Sequence, residues 1–261
     1  MIRIITDENI IDKEMLSKSY YGRKVLSYLM AYGVKYDFCK FYLLEYDDMY
    51  GYLFHMNSTM VVCTEDDIPT DELCDFIEMN MPFRVEVSQH LLPKLNKLSN
   101  YQQLRRTMFE FSQERQSNVS ENDIDDNPKL DDVYSILKEG FPNLIDYGLW
   151  LTDTSHRVRR GISKVYIYKR FTTATLMYDI NDTVLVGQVA TRVKARGSGH
   201  AREFLYWIGS ELKKQGKTAI LFALDIRKSF YEEIGFKAIM TEYVFERKDI
   251  EKESQQKGAL K

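Results

Sequence analysis

Apolar residues along the chain switch between the two-residue period of strands and the 3.6-residue period of helices. Ile2, Ile4 and Ile5 predict a short strand, and Lys13 to Tyr32 a helix with Leu16, Tyr20, Leu26, Leu29 and Met30 on its apolar face. Cys39 to Tyr46 and Tyr50 to Met56 then read as two strands joined in a hairpin through Asp47-Asp48-Met49. Met60 to Cys63 predicts a third strand, Asp71 to Met79 a helix with Thr70 as its N-cap, and Phe83 to Val87 a further strand. The expectation is an α/β domain over 1–111.

Residues 112–128 are rich in Ser, Asn, Gln, Asp and Glu and offer little to bury, which predicts an exposed linker and a domain boundary. Beyond it, Leu130, Val133, Tyr134, Ile136 and Leu137 mark a helix ending near Gly140, and Tyr147 to Arg159 a second one. Lys164 to Tyr168 and Ala174 to Ile180 predict paired strands, with Asn181-Asp182 turning the chain into the next. Val184, Leu185, Val186, Val189, Ala190 and Val193 then form the run of a buried strand. Ala201, Leu205, Ile208 and Leu212 come next at the spacing of one helical face, and that helix stops at Gly216. Thr218 to Leu224 predicts another strand, and Ile226, Phe230 and Ile234 a helical face with Asp225 as its N-cap. The second domain is expected over 129–248, with a disordered tail over 249–261.

Composition narrows the class. With 261 residues, 44% of them apolar, the chain can bury the cores of two modest domains. A net charge of −3 gives no reason to expect nucleic acid or an anionic membrane as partner. No apolar run is long enough to cross a bilayer, and Arg3, Asp7 and Glu8 interrupt the opening too early for a signal peptide, so a cytoplasmic protein is expected. Cys39, Cys63 and Cys74 are odd in number and form no Cys-x-x-Cys pair, and the four histidines are scattered. Both patterns predict reduced core thiols and no metal site.

The charge is unevenly distributed. From Trp150 to Lys217 there are thirteen Lys and Arg against five Asp and Glu, a balance suited to an anionic ligand. Within that stretch lies Arg196-Gly197-Ser198-Gly199-His200-Ala201, between the buried strand and the amphipathic helix. N–H groups in the first turn of a helix lack intrahelical partners and carry partial positive charge, so a phosphate there gains from both. The glycines let the backbone curl and approach a ligand closely. No third glycine stands at position 202 and no Gly-Lys-Ser or Gly-Lys-Thr closes the loop, which excludes the dinucleotide-binding and phosphate-loop NTPase fingerprints. A tight turn that binds nothing is the alternative.

This stretch resembles the acetyl-CoA pyrophosphate loop of the GNAT acetyltransferase superfamily, in which Arg or Gln is followed by two residues, Gly, one residue, and Gly or Ala. A second match lies further along: Phe230-Tyr231-Glu232-Glu233-Ile234-Gly235-Phe236 resembles the family's Tyr-x-x-x-Gly-Phe element. The resemblance implies a mixed, mostly antiparallel α/β sheet flanked by helices in the second half, with acetyl-CoA as acetyl donor. By position it implies that Val189 and Thr191 present main-chain groups to pantetheine and that Arg196, Gly197, Ser198, Gly199, His200 and Ala201 wrap the pyrophosphate. Tyr231 takes the place of the general acid that protonates the departing thiolate. Phe141, Asp146, Trp150, Asp153 and His156 become candidates for acceptor contact.

The acceptor is expected to be a small-molecule or peptide amine. The general base stays open: Gln188 stands where many members carry Glu, and Asp179, Asp182, His156 or a water-mediated path are alternatives. At 1–111 the alternatives are a degenerate GNAT-like repeat without cofactor and an unrelated α/β cap. For the whole chain they are an N-acetyltransferase and a non-catalytic acyl-CoA-binding or regulatory module.

Overall fold

The computed structural model describes residues 1–112, 117, 119–141 and 144–248. They pack as two compact units, Met1–Arg105 with the chain from Glu242 to the end of the described residues, and Arg106–Thr241. In chain order the first unit holds β1 (Ile2–Ile4), α1 (Lys13–Lys18), α2 (Tyr20–Tyr32), β2 (Cys39–Tyr46), β3 (Met49–Met56), β4 (Thr59–Thr64), α3 (Asp71–Asn80) and β5 (Arg84–Val87). Strand β6 (Tyr101–Phe111) runs on into the second unit. There follow β7 (Ile124–Asp125), α4 (Leu130–Gly140), α5 (Tyr147–Arg159), β8 (Lys164–Tyr168), β9 (Thr172–Ile180), β10 (Thr183–Thr191), α6 (His200–Lys214), β11 (Thr218–Ala223) and α7 (Lys228–Glu233). The last strand, β12 (Phe236–Arg247), begins in the second unit and ends in the first.

In the first unit the strands lie in the order β1-β2-β3-β4-β5-β12. All neighbours are antiparallel except β4 and β5, which are parallel because α3 carries the chain back between them. Leu44, Leu53, Met60, Val62, Leu73, Ile77 and Val85 form the core under α3. The helix expected over Lys13 to Tyr32 is broken at Ser19, which has extended backbone, and its hydroxyl caps α2 by accepting from the Gly22 N–H at 3.0 Å. Gly22 permits the close approach there, since a Cβ would sit 2.2 Å from the Leu16 carbonyl oxygen. Thr70 stands at the N-cap position of α3 as expected but makes no capping bond with its side chain, whose hydroxyl donates to the Lys94 carbonyl. Cys39, Cys63 and Cys74 are free thiols in the interior, and burial pushes the Cys63 thiol up to about 11.

The second unit orders its strands β6-β11-β10-β9-β8-β7. Again one pair is parallel, β10 with β11, joined by α6. Alternation along the strands feeds both faces of this sheet. Val165, Ile167 and Ala190 meet Val133, Ile136 and Leu137 of α4 and Trp150 of α5. Tyr168, Ala174, Val184, Val186 and Leu221 meet Phe204, Leu205, Ile208 and Leu212 of α6. This mixed sheet, mostly antiparallel and flanked by helices, is the architecture expected of the second half.

The division by packing differs from the expected one. It falls inside β6 between Arg105 and Arg106, and again inside β12 between Thr241 and Glu242, where an exposed boundary at 112–128 was expected. Each unit thus completes its sheet with a strand contributed from elsewhere in the chain: Phe245 and Glu246 pair with Val85 and Arg84, and Thr107 to Glu110 pair with Ala223 to Ile220. Within the expected linker, Ile124 and Asp125 form an edge strand on Tyr168 and Ile167. The tail at 249–261 lies outside the described residues. Among the described residues no helix is long and apolar enough to cross a membrane.

Candidate functional site

Strands β10 and β11 are paired only from Thr183 to Leu185 against Thr218 to Ile220. Beyond that point β11 keeps its antiparallel partner β6, while β10 stays with β9, so the two part company and a wedge opens between them. Where the pairing with β11 ends, β10 shifts register against β9 between Leu185 and Val186, and a bulge follows between Gly187 and Ala190, where Gln188 takes a left-handed backbone at φ +51°. A side chain in that region costs about 1–2 kcal/mol, a strain of the kind that collects at functional sites. The wedge is a cavity of about 810 Å³, walled by Val186 to Thr191 on one side and Leu221 to Leu224 on the other.

The loop from Arg196 to the start of α6 closes its mouth. Gly197 and Gly199 have φ +82° and +79°, and the first helical hydrogen bond runs from the Glu203 N–H to the Gly199 carbonyl at 3.0 Å. The backbone N–H groups from Gly197 to Arg202 therefore have no acceptor among the described residues. A Cβ on either glycine would meet no atom beyond its chain neighbours within 4 Å.

The loop is fixed from the α4 side. Glu139 accepts from the Val193 N–H at 2.6 Å and from the Arg192 guanidinium at 2.8 Å. Arg196 donates to the Glu139 carbonyl at 2.6 Å and to the Thr191 carbonyl at 3.2 Å. The Val193 N–H, then the Arg192 guanidinium, hold the Glu139 carboxyl below its ordinary value. At the head of α6 the His200 ring stacks on Phe171, with centroids 5.8 Å apart, and meets Tyr168 edge-on.

Tyr231, on α7, lines the cavity with Phe230 and Arg227. Its ring is boxed by Phe109, Phe230 and Phe236 at centroid distances of 5.3, 5.2 and 6.0 Å. Phe109 is registered opposite Leu221, which places the phenol near the narrow end of the wedge. Burial raises the Tyr231 phenol above its ordinary value, opposed by the charge of Arg227, so the hydroxyl stays protonated at neutral pH. Its hydroxyl makes no hydrogen bond to a described residue.

No family model matches the sequence, and no curated protein matches it. Solved structures do match. A GCN5-related N-acetyltransferase from Sphaerobacter thermophilus superposes with a TM-score of 0.58 at 15% identity, covering 95% of this chain and 95% of its own. A GNAT-family acetyltransferase from Colwellia psychrerythraea gives 0.53 at 16%, covering 95% and 100%. The chain has the GNAT fold. A tandem GNAT protein from the clavulanic acid biosynthesis pathway is also similar, with a TM-score of 0.56 at 6% identity over 94% of this chain and 97% of that one.

Within this GNAT fold the residues expected around the cofactor converge. Val189, Thr191, Arg196, Gly197, Gly199, His200, Ala201 and Tyr231 all line one cavity, whereas Ser198 lies in the loop but not on the cavity wall. The Arg196 side chain braces the loop on backbone carbonyls, so what it offers a ligand differs from a free guanidinium. Of the residues expected at the acceptor, Phe141 reaches the wall. Asp146 instead caps α5 by accepting from the Gly148 N–H, and Trp150 is core, packed on Tyr134. Asp153 and His156 lie on α5 away from the lining.

The open alternatives for a base fare no better. Asp179 is registered against Val184, at the paired end of the strands, and bonds Lys217. Asp182 sits in the adjoining turn. Asp225 is not the N-cap of α7, a position that Arg227 occupies, and it accepts from the Thr107 hydroxyl at 3.1 Å. Sequence reasoning missed the Glu139 clamp, the wall formed by Phe222 and Arg227, and the bulge at Gln188. For the bulge a signal exists: Gly187 and Gln188 interrupt the apolar run from Val184 to Ala190.

Proposed function

We propose that the 106–241 unit is an acyltransferase that moves the acetyl group of acetyl-CoA to the amine of a small-molecule or peptide acceptor. The observation that carries this reading is the combination of a wedge with unpaired strand edges, a mouth of free N–H groups on a helix start, and a protonated phenol at the narrow end. The N–H groups from Gly197 to Arg202 and the Arg-rich rim suit a diphosphate. The edge of β10 left without a partner strand at Val189 suits the amides of a pantetheine arm, and beside it the Thr191 carbonyl is already held by Arg196.

Acetyl-CoA supplies an activated thioester. The chain holds it against the acceptor nitrogen, excludes water with Val186, Leu221, Phe222 and Phe230, and keeps a proton on the Tyr231 hydroxyl for the departing thiolate. A thiolate whose conjugate acid has a pKa of about 8.5 takes that proton readily.

A second reading is a non-catalytic acyl-CoA-binding module, favoured by the lack of any Asp or Glu among the lining residues. Calorimetry with acetyl-CoA and the release of free thiol in the presence of amines separate the two. On the first reading heat and thiol release both appear, and Tyr231→Phe lowers turnover about 10²-fold with the affinity kept. Heat without thiol release, unchanged by the substitution, favours the module, and no heat at all removes both.

We further propose that the first unit is a degenerate repeat of the same fold without a cofactor. It repeats the succession strand, two helices, three antiparallel strands, helix and parallel strand. Where the wedge would open, the Ser88 hydroxyl accepts from the Thr64 N–H at 3.1 Å, and the Ser88 N–H donates to Val62. The loop after β4 carries Glu65, Asp66, Asp67 and Pro69 and no glycine, a charge that repels phosphate.

A further inference from the structure

Resting on the acyltransferase reading above, we infer that the second unit selects an acceptor whose reacting nitrogen is uncharged at neutral pH, such as an aromatic amine or a hydrazide, and that Gln188 sets this choice. Gln188 lines the wedge on the bulge of β10. Its carboxamide oxygen accepts from the Thr175 hydroxyl at 3.0 Å, and Thr175 is itself only 2% exposed. Backbone and side chain of Gln188 are thus both fixed.

An ammonium has no lone pair. It must surrender a proton before it attacks, a step that a carboxylate or an imidazole within reach accelerates inside a site. None of the lining residues is Asp or Glu, and an amide at 188 takes no proton. The one imidazole, His200, belongs to the phosphate loop, stacked on Phe171. Arg227 stands close enough to Tyr231 for its charge to act on the phenol, so a cation arriving there is opposed.

A neutral nitrogen meets neither obstacle. Its lone pair forms the N–C bond to the acyl carbon as the C–S bond breaks. The thiolate takes the Tyr231 proton, and the nitrogen releases its own proton to solvent once the amide has formed, which restores the balance when the phenol is reprotonated.

The test compares an aromatic amine with an alkyl amine of similar size at pH 7, reading free thiol on the full chain. An alkyl amine with a lysine-like pKa of about 10.4 is unprotonated in roughly one molecule in 2,500, so kcat/KM for the aromatic amine should exceed it by roughly 10³-fold. Gln188→Glu, which keeps the shape and the Thr175 bond, should narrow that gap by at least about tenfold by raising the alkyl amine rate. Equal or preferred use of the alkyl amine by the unsubstituted protein overturns the inference, and so does a folded Gln188→Glu variant with an unchanged ratio. Should the variant not fold, the ratio for the unsubstituted protein decides alone. Heat with acetyl-CoA but no thiol release with any acceptor defeats the underlying acyltransferase reading, and the inference with it.

Discussion

At the residue scale, Gly197 and Gly199 owe their identity to two separate demands. Positive φ disfavours a side chain there by about 1–2 kcal/mol, whatever the space around it. The space beside them is also clear, with no atom beyond the chain neighbours within 4 Å of a Cβ, so on the proposed reading a side chain there would meet the cofactor. Gly199→Val is therefore expected to weaken acetyl-CoA binding by more than its effect on stability accounts for, with calorimetric affinity falling at least about tenfold and the melting temperature moving by a few degrees. Equal loss in both would reduce the glycine to a turn residue. These positions were legible in the sequence because glycine pairs at a strand-to-helix junction are a local signal. Gln188 was legible only as a residue that cannot act as a base; its bulge depends on which neighbour each half of β10 pairs with.

The element scale brings in α4, whose C-terminal turn anchors the loop before the glycines. Glu139 joins three parts of that anchor: the Val193 N–H, the Arg192 guanidinium, and through its own carbonyl the Arg196 side chain. Since the folded carboxyl titrates below its ordinary 4.5, its stabilising effect is complete above that value and disappears as acid carries the pH down through the lower folded value. Glu139→Gln should lower acetyl-CoA affinity at neutral pH. It should also flatten the part of the acid-unfolding curve below about 4.5 that Glu139 contributes, read as melting temperature against pH. An unaltered curve would remove the carboxylate from the clamp. Helix α4 itself arises from the spacing of Val133, Ile136 and Leu137, and Gly140 lets its end approach β10, where a Cβ would lie 2.8 Å from that of Ala190. The sequence predicted the helix and its end; which loop that end would grip was not local information.

On the scale of the whole molecule, two units with the same succession of elements differ in the segment after their fourth strand. One has glycines and unpaired N–H groups; the other has three acids, and its parallel strands are bridged by Ser88, which follows β5. Added CoA is accordingly expected to slow amide hydrogen exchange in residues 139–141, 186–202 and 221–231, and to leave 59–70 and 84–88 unchanged. Protection in the latter segments would overturn the assignment of a cofactor-free first unit. The sequence by itself marked the glycine loop and most strands and helices of both halves, because each is written in the spacing of a few neighbouring residues, but it marked neither β6 nor β12 and ran α1 and α2 together. It did not determine where the units divide, since β6 and β12 each serve both and no composition change marks the crossing. Nor could it place Trp150, Asp179 or Asp225, whose roles as core, ion-pair and hydroxyl partner are set by contacts between residues far apart in the chain. Hydrophobic periodicity fixes which face of an element is buried; only packing decides what it is buried against, and so which polar groups remain to meet a ligand.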